Sequence, residues 1–262
     1  MRVLLVDNSK PTIRVHTPKL VAMLERLRAT VTTCETSEEV ARALEPHVRH
    51  TWDAVVLSGS SLNMTESLET SRISKDLMTL LQMQDVAVLG VCFGMQLLAV
   101  ANGGAVGRLA AGPIHGTEKV TFTADTVVGV PREERWAYFH HGDVVTKVPS
   151  NFVADGYRTE DGIVASFHSR QKHRFGVQFH PEESTDSCGL QLLERFMRVA
   201  HGGRVTLAPD LRISQQTFDR VAMQMGRRGV RDVARASGLD ADAVVKVWTA
   251  FRTMYCIPAV LF

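Results

Sequence analysis

Hydrophobic positions in the first hundred residues fall into two alternating patterns. Short unbroken apolar runs (Val3-Leu4-Leu5-Val6, Ala54-Val55-Val56-Leu57 and Val86 to Val91) read as strands buried on both faces. They stop at small or polar residues: Asp7-Asn8-Ser9, Ser58-Gly59-Ser60-Ser61 and Cys92. Val31 to Cys34 adds a short β-branched run. The intervening text has helical spacing. Leu20, Met23, Leu24 and Leu27 share one face of a helix over residues 17–29. Ser37 is expected to cap a helix through Leu44, with Glu38 and Glu39 in its first turn, and Met95 to Ala101 begins another helix. Strand and helix in alternation predict an α/β protein whose open, mostly parallel sheet carries helices on both faces. Ligands in such sheets bind beyond the C-terminal strand ends, here near Gly59 and between Gly90 and Gly94.

The pattern changes over residues 103–180. Glycines recur, and the apolar runs shrink to Val120-Thr121-Phe122, Val127-Val128, Phe152-Val153-Ala154, Ile163-Val164-Ala165 and Phe175-Gly176-Val177. This predicts an antiparallel extension of the sheet. A helix from about Cys188 to Ala200, with Leu192, Leu193, Phe196 and Val199 on one face, closes the region before Gly202-Gly203. The expected domains are residues 1–203 and a small all-α appendage over 212–262.

Composition narrows the function classes. Lys+Arg number 30 against 28 Asp+Glu, a net charge of +2, which is no footprint for nucleic acid or an anionic membrane. The longest apolar-looking run, Val86 to Val100, is interrupted by Gly90, Gly94 and Gln96, so no membrane span is expected. The N-terminal apolar run ends at Asp7, too short for a signal peptide. Four cysteines without a CxxC spacing suit free thiols and a cytoplasmic location. His168 and His173 have poor metal spacing, and neither a metal nor a cofactor is expected.

The candidate chemistry lies in two segments. Gly90-Val91-Cys92-Phe93-Gly94-Met95-Gln96 places a cysteine between two glycines, at the end of a strand and the start of a helix. That is the form of a nucleophile elbow, and a thiol at a helix N-terminus has its thiolate favoured by the helix dipole. A cysteine nucleophile needs a base, and the base needs an orienting group. Phe175-Gly176-Val177-Gln178-Phe179-His180-Pro181-Glu182 offers His180 at a strand end and Glu182 two residues on, with Pro181 stiffening the link. The set Cys92, His180 and Glu182 reads as a catalytic triad.

These motifs resemble the signatures of class I (triad-type) glutamine amidotransferase domains, G-x-C-x-G-x-Q and H-P-E, over roughly residues 1–200. Within that family they look most like the glutaminase of GMP synthase. The resemblance implies a flavodoxin-like fold and hydrolysis of the L-glutamine side-chain amide through a γ-glutamyl thioester on Cys92. It implies an oxyanion hole from the backbone N–H groups of Gly59 and Phe93. It further implies substrate contacts from Gln96 and from the segment His140-His141-Gly142-Asp143. One departure stands out: the oxyanion loop reads Gly59-Ser60-Ser61-Leu62, without the proline many relatives carry, which predicts a less pre-set loop and low resting activity. With neither a pyrophosphatase nor a P-loop motif in the sequence, the ammonia acceptor is expected on a partner synthetase polypeptide.

The tail is a separate matter. Gly229 to Asp240 followed by Ala241 to Thr253 reads helix, tight turn, helix, with Ala234, Gly238 and Val244 at helix-turn-helix positions. The second helix opens Ala-Asp-Ala and offers only Lys246 and Arg252, a poor reader of DNA. The tail is therefore expected to dock a partner or a second copy of the chain. Two other readings compete with the amidotransferase: a scaffold of the same fold acting through these helices, and a hydrolase of another γ-glutamyl amide.

Overall fold

A computed structural model describes residues 1–9, 16–45, 48, 51–69, 77–78, 81, 86–123, 134–169, 173–184, 188–200, 221, 230–241, 243–245 and 247. The chain divides into two compact units, Met1–Ala200 and His201–Phe262. The expected boundary residues around 202–212, and Val127-Val128, lie outside the described residues.

The first unit is built on β1 (Arg2–Val6), β2 (Thr30–Cys34), β3 (Ala54–Leu57) and β4 (Ala87–Val91), followed by β5 (Ala105–Arg108), β6 (Ile114–Phe122), β7 (Glu134–His141), β8 (Asp143–Lys147), β9 (Val153–Arg158), β10 (Val164–Ser169) and β11 (Arg174–Val177). A nine-stranded sheet runs β2-β1-β3-β4-β11-β10-β9-β6-β7, and β5 pairs with β8 separately. The pairs β1–β2, β1–β3, β3–β4 and β4–β11 are parallel, and those from β11 through to β7 are antiparallel. The expected mostly parallel α/β sheet with an antiparallel extension is what forms.

Alternation along the buried strands feeds two cores. Val3, Leu5, Val56, Leu89 and Val91 meet Leu20 and Leu24 of α1 (His16–Arg26) and Leu192, Leu193 and Phe196 of α5 (Cys188–Ala200). Leu4, Val6, Val55, Leu57 and Val88 meet Val40 and Ala43 of α2 (Ser37–Ala43) and Met95, Leu97 and Leu98 of α4 (Phe93–Ala101). One short helix, α3 (Met64–Glu69), follows β3. The N-cap of α2 differs from expectation: Thr36, not Ser37, is the cap. Its hydroxyl accepts from Glu39 N while the Glu39 carboxylate accepts from Thr36 N, a reciprocal box that needs the spacing Thr-x-x-Glu.

In the second unit α6 (Val230–Ser237) ends at Gly238, whose φ of +72° suits a residue without Cβ. The Asp240 carboxylate then accepts from Ala243 N at 2.7 Å and caps the next helical segment. Val221, Val233, Val244 and Val247 are buried. Of the second helix expected over Ala241 to Thr253, residues 242, 246 and 248–253 lie outside the described residues.

Candidate active site

The register of β4 with β11 positions the site. Val91 pairs with Val177, and Cys92 N donates to Val177 O at 2.7 Å. The residue after β4 therefore sits beside the extended segment after β11, on which Gln178 and His180 alternate with Phe179. His180 is anchored again where its N–H donates to Tyr138 O of β7 at 2.8 Å. Pro181–Glu183 form a single 3-10 turn that swings Glu182 back toward the imidazole.

Cys92 has φ +52° and ψ −106°, a conformation rarely held by a residue with a side chain. It is the strained corner of an elbow, and the flanking glycines explain how the corner packs. A Cβ on Gly90 would lie 2.4 Å from Gly94 O, and one on Gly94 would lie 2.4 Å from Leu57 O, so α4 approaches the sheet as only glycine permits.

His180 is 2% exposed, and its Nδ1 lies 2.7 Å from Glu182 Oε1. With Nδ1 held by the carboxylate, Nε2 is the nitrogen left for the thiol, which is a hydrogen-bond partner of this ring. Burial opposes a charged imidazole here. The charge and hydrogen bond of Cys92, joined by those of Glu182, outweigh it and raise the His180 pKa to about 10. The side-chain amide of Gln178 donates toward Cys92 Sγ at 3.6 Å, and the sulfur lies 3.7 Å from His140 O.

Cys92 and His180 line a cleft of about 540 Å³ at the C-terminal ends of the strands, together with Gly59, Ser60, Phe93, Gln96, Arg108, His140, His141, Gly142 and Asp143. Nine of the ten residues expected at the site thus line one cleft, Cys92, His180, Gly59, Phe93, Gln96 and the four from His140 to Asp143, while Glu182 stands behind the imidazole at 2.7 Å from its Nδ1. Gly59 lies so close that a Cβ there would be 2.8 Å from His180 Cε1 and 3.6 Å from Cys92 Cβ. Phe93 opens α4, so its N–H has no partner within the helix.

Several of the remaining side chains act on the cleft from behind. Gln96 is 3% exposed and its amide nitrogen donates to Asp143 O at 2.7 Å and to Gln178 Oε1 at 3.1 Å. Asp143 accepts from Thr65 N and Thr65 Oγ1, each at 2.8 Å, and lies 3.4 Å from Arg108 Nε. His141 Nδ1 contacts Asp143 O at 2.9 Å, and burial pushes its pKa down to about 4. This lattice fixes the backbone of residues 140–143 against α4.

The sequence reading missed His16, Gln178 and Asn8. His16 stacks on His180 with ring centroids 4.2 Å apart and planes at 30°, while its Nδ1 lies 3.0 Å from Glu183 Oε1. Burial, then the neighbouring His180 charge, lower its pKa, so a neutral ring lies on a cationic one. Nothing in the apolar pattern marked His16, at the start of α1. Gln178 was legible in principle, being two residues from His180 on extended chain.

His16, His180 and Glu182 also bring possible ligand atoms within 4.8 Å of one another. An imidazole nitrogen donates its lone pair in the ring plane. Two stacked rings, each with Nδ1 engaged by a carboxylate, send those lone pairs side by side rather than toward one tetrahedral centre. The cluster is built to hold charge.

A sulfur on an elbow, a carboxylate-backed imidazole and backbone N–H groups beside the sulfur suit one class of chemistry, thiol-based acyl transfer at a carbonyl. The family model described as glutamine amidotransferase class-I matches residues 13–200, and the chain belongs to that family. The GMP synthase [glutamine-hydrolyzing] of Nitratiruptor sp. is 28% identical over 201 residues, covering 72% of this chain and 36% of that protein. Its namesake in Thermobifida fusca is 31% identical over 145 residues, covering 55% and 27%. The chain thus spans about a third, or less, of the length of these relatives. In fold it resembles a putative GMP synthase subunit from Thermoplasma acidophilum, with a TM-score of 0.63 at 21% identity over 78% of this chain and 96% of that one. No helix among the described residues is long and apolar enough to cross a membrane.

Proposed function

We propose that this chain hydrolyses the side-chain amide of L-glutamine and delivers the ammonia to an acceptor site on a partner polypeptide. The observation that carries the reading is the Cys92 elbow facing a His180 whose Nδ1 is held 2.7 Å from Glu182. Cys92 Sγ, whose proton already rests on the cationic His180, adds to the amide carbon. The carbonyl oxygen becomes an oxyanion held by the N–H groups of Gly59 and Phe93, each such donor contributing about 2.7–4 kcal/mol to the transition state. The intermediate collapses, the C–N bond breaks, and His180 returns the proton to the leaving nitrogen. Ammonia departs and a γ-glutamyl thioester remains. Water then attacks that thioester with His180 as base, releasing glutamate and restoring the charged pair of Cys92 and His180.

The raised basicity of His180 has a role in this cycle. It depends mainly on Cys92, and a thioester sulfur carries no charge. As the acyl bond forms, the imidazolium loses that partner and becomes acidic at the moment the nitrogen needs a proton. The match to relatives called GMP synthase [glutamine-hydrolyzing] supports a synthetase site as the acceptor of the released ammonia. The helical second unit is the surface we assign to docking that partner or a second copy.

The test compares ammonia and glutamate release from L-glutamine by the wild type and Cys92→Ala. The variant is expected to lose at least about a thousandfold. Absence of wild-type turnover, with no covalent labelling of Cys92 by a glutamine-like electrophile, would overturn the proposal.

A further inference from the structure

The loop that follows β3 has no proline to set its shape, yet both peptide groups flanking Gly59 are tied down. Asn8 Nδ2 donates to Ser58 O at 2.9 Å, and Asn8 N donates to Ser58 Oγ at 2.9 Å. The Ser58 hydroxyl has one proton to give. Gly59 O accepts it at 2.8 Å, the shorter of its two contacts, the other being Asp7 Oδ1 at 3.3 Å. Asp7 is itself buried and anchored by Ser9 N at 2.8 Å and Thr17 Oγ1 at 2.9 Å. Further along the loop, Leu62 N donates to Ser60 Oγ at 3.0 Å.

The geometry points to Asn8 as a positioning residue for the oxyanion hole, a conclusion that rests on the glutaminase reading above. No peptide bond among the described residues is cis, and in a trans peptide the C=O and N–H point in opposite directions. Holding Ser58 O toward Asn8 therefore turns the Gly59 N–H to the opposite side. That side belongs to the cleft, because Asn8 is not among its walls while Gly59 lies against Cys92 and His180. Without the Asn8 amide, the 58–59 peptide can rotate and present its carbonyl to the oxyanion, which repels it. Hydrogen bonds from the end of β1 thus do what a proline would otherwise do through a fixed φ. Asn8 touches neither substrate nor nucleophile. Its effect is on where a donor points.

Asn8→Asp is the clean perturbation, since it keeps the size and the backbone N–H but places a carboxylate, which cannot donate, against Ser58 O. Asn8→Ala is the second variant. Three readouts separate positioning from general damage. Glutamine hydrolysis should lose at least about tenfold in kcat with KM within about twofold, part of the 10²–10³ that removal of a whole donor costs. Alkylation of Cys92 by iodoacetamide, a displacement at saturated carbon that develops no oxyanion, should stay within about twofold of the wild-type rate. A crystal structure of either variant should show the Ser58–Gly59 peptide rotated. An unchanged kcat, an equal fall in hydrolysis and alkylation, or a Gly59 N–H still aimed at the cleft in the variant would each overturn the role. Were the wild type inactive on glutamine, the glutaminase reading would fail, and the peptide orientation would still decide the latch.

Discussion

The sharpest consequence of the site is that His180 owes its basicity to Cys92. A free imidazole titrates near 6.5, whereas this one is held at about 10 despite burial that works the other way. The two largest favourable influences both come from Cys92, its charge and its hydrogen bond. A unit charge about 4 Å away, at an effective dielectric of about 20, is worth roughly 4 kcal/mol, or about 3 pH units. Cys92→Ala should therefore bring His180 down from about 10 to around 7. Heteronuclear NMR of the His180 ring, titrated between pH 5 and 11 in wild type and variant, measures this directly. The same spectra of a trapped γ-glutamyl thioester should resemble the alanine variant, since neither carries charge at that position. Wild-type titration near 6.5, or a variant that still titrates near 10, would refute the reasoning, and with it the account of how the leaving nitrogen obtains its proton.

Two further predictions complement the tests of Cys92 and Asn8 described above. His141 is buried and its pKa is pushed down to about 4, so the unfolded chain binds its proton more readily between about 6.5 and 4. The native state should lose up to roughly 3 kcal/mol as pH falls through that window. Urea unfolding at pH 7 and pH 4.5 should show a shallower loss for His141→Asn, which keeps a donor toward Asp143 O, and an equal loss in both proteins would sink the assignment. Gly94→Ala places a Cβ 2.4 Å from Leu57 O and 2.6 Å from Leu57 Cβ. Forcing α4 off β3 should cost about 1–3 kcal/mol, lower Tm by several degrees and reduce kcat strongly, because Leu57 and Phe93 lead into opposite sides of the oxyanion hole. A variant with wild-type Tm and kcat would show that the elbow does not depend on this close approach.

The parts of the fold that could be read in the sequence are those where one physical rule acts alone. Val3 to Val6, Ala54 to Leu57 and Val86 to Val91 are apolar on both faces because helices cover both faces, and their short length and polar or glycine-bearing ends select a buried strand over a buried helix. The elbow was legible because glycines at 90 and 94 and a reactive residue between them satisfy a steric demand that few other sequences meet. His16 was not, since its role comes from the start of α1 lying over His180, a contact between residues 164 positions apart in the chain. The cap of α2 shows a smaller failure of the same kind. Thr36 and Ser37 are both good caps, and only the distance to Glu39 decides between them.

The two halves of the site are held by different means. Cys92 directly follows β4 and His180 lies three residues beyond β11, its parallel neighbour, and the ladder ends in the bond from Cys92 N to Val177 O, so sheet pairing sets Cys92 beside the segment that carries His180. Disturbing that spacing means opening the sheet. The Gly59 donor instead stands on a loop whose peptide planes are set by a few side-chain hydrogen bonds from Asn8 and Ser58, each worth about 1 kcal/mol net. A change of a few kcal/mol can therefore turn the proposed oxyanion hole on or off while Cys92 and His180 stay in place. That loop is the part of the site where the least energy makes the largest difference to rate.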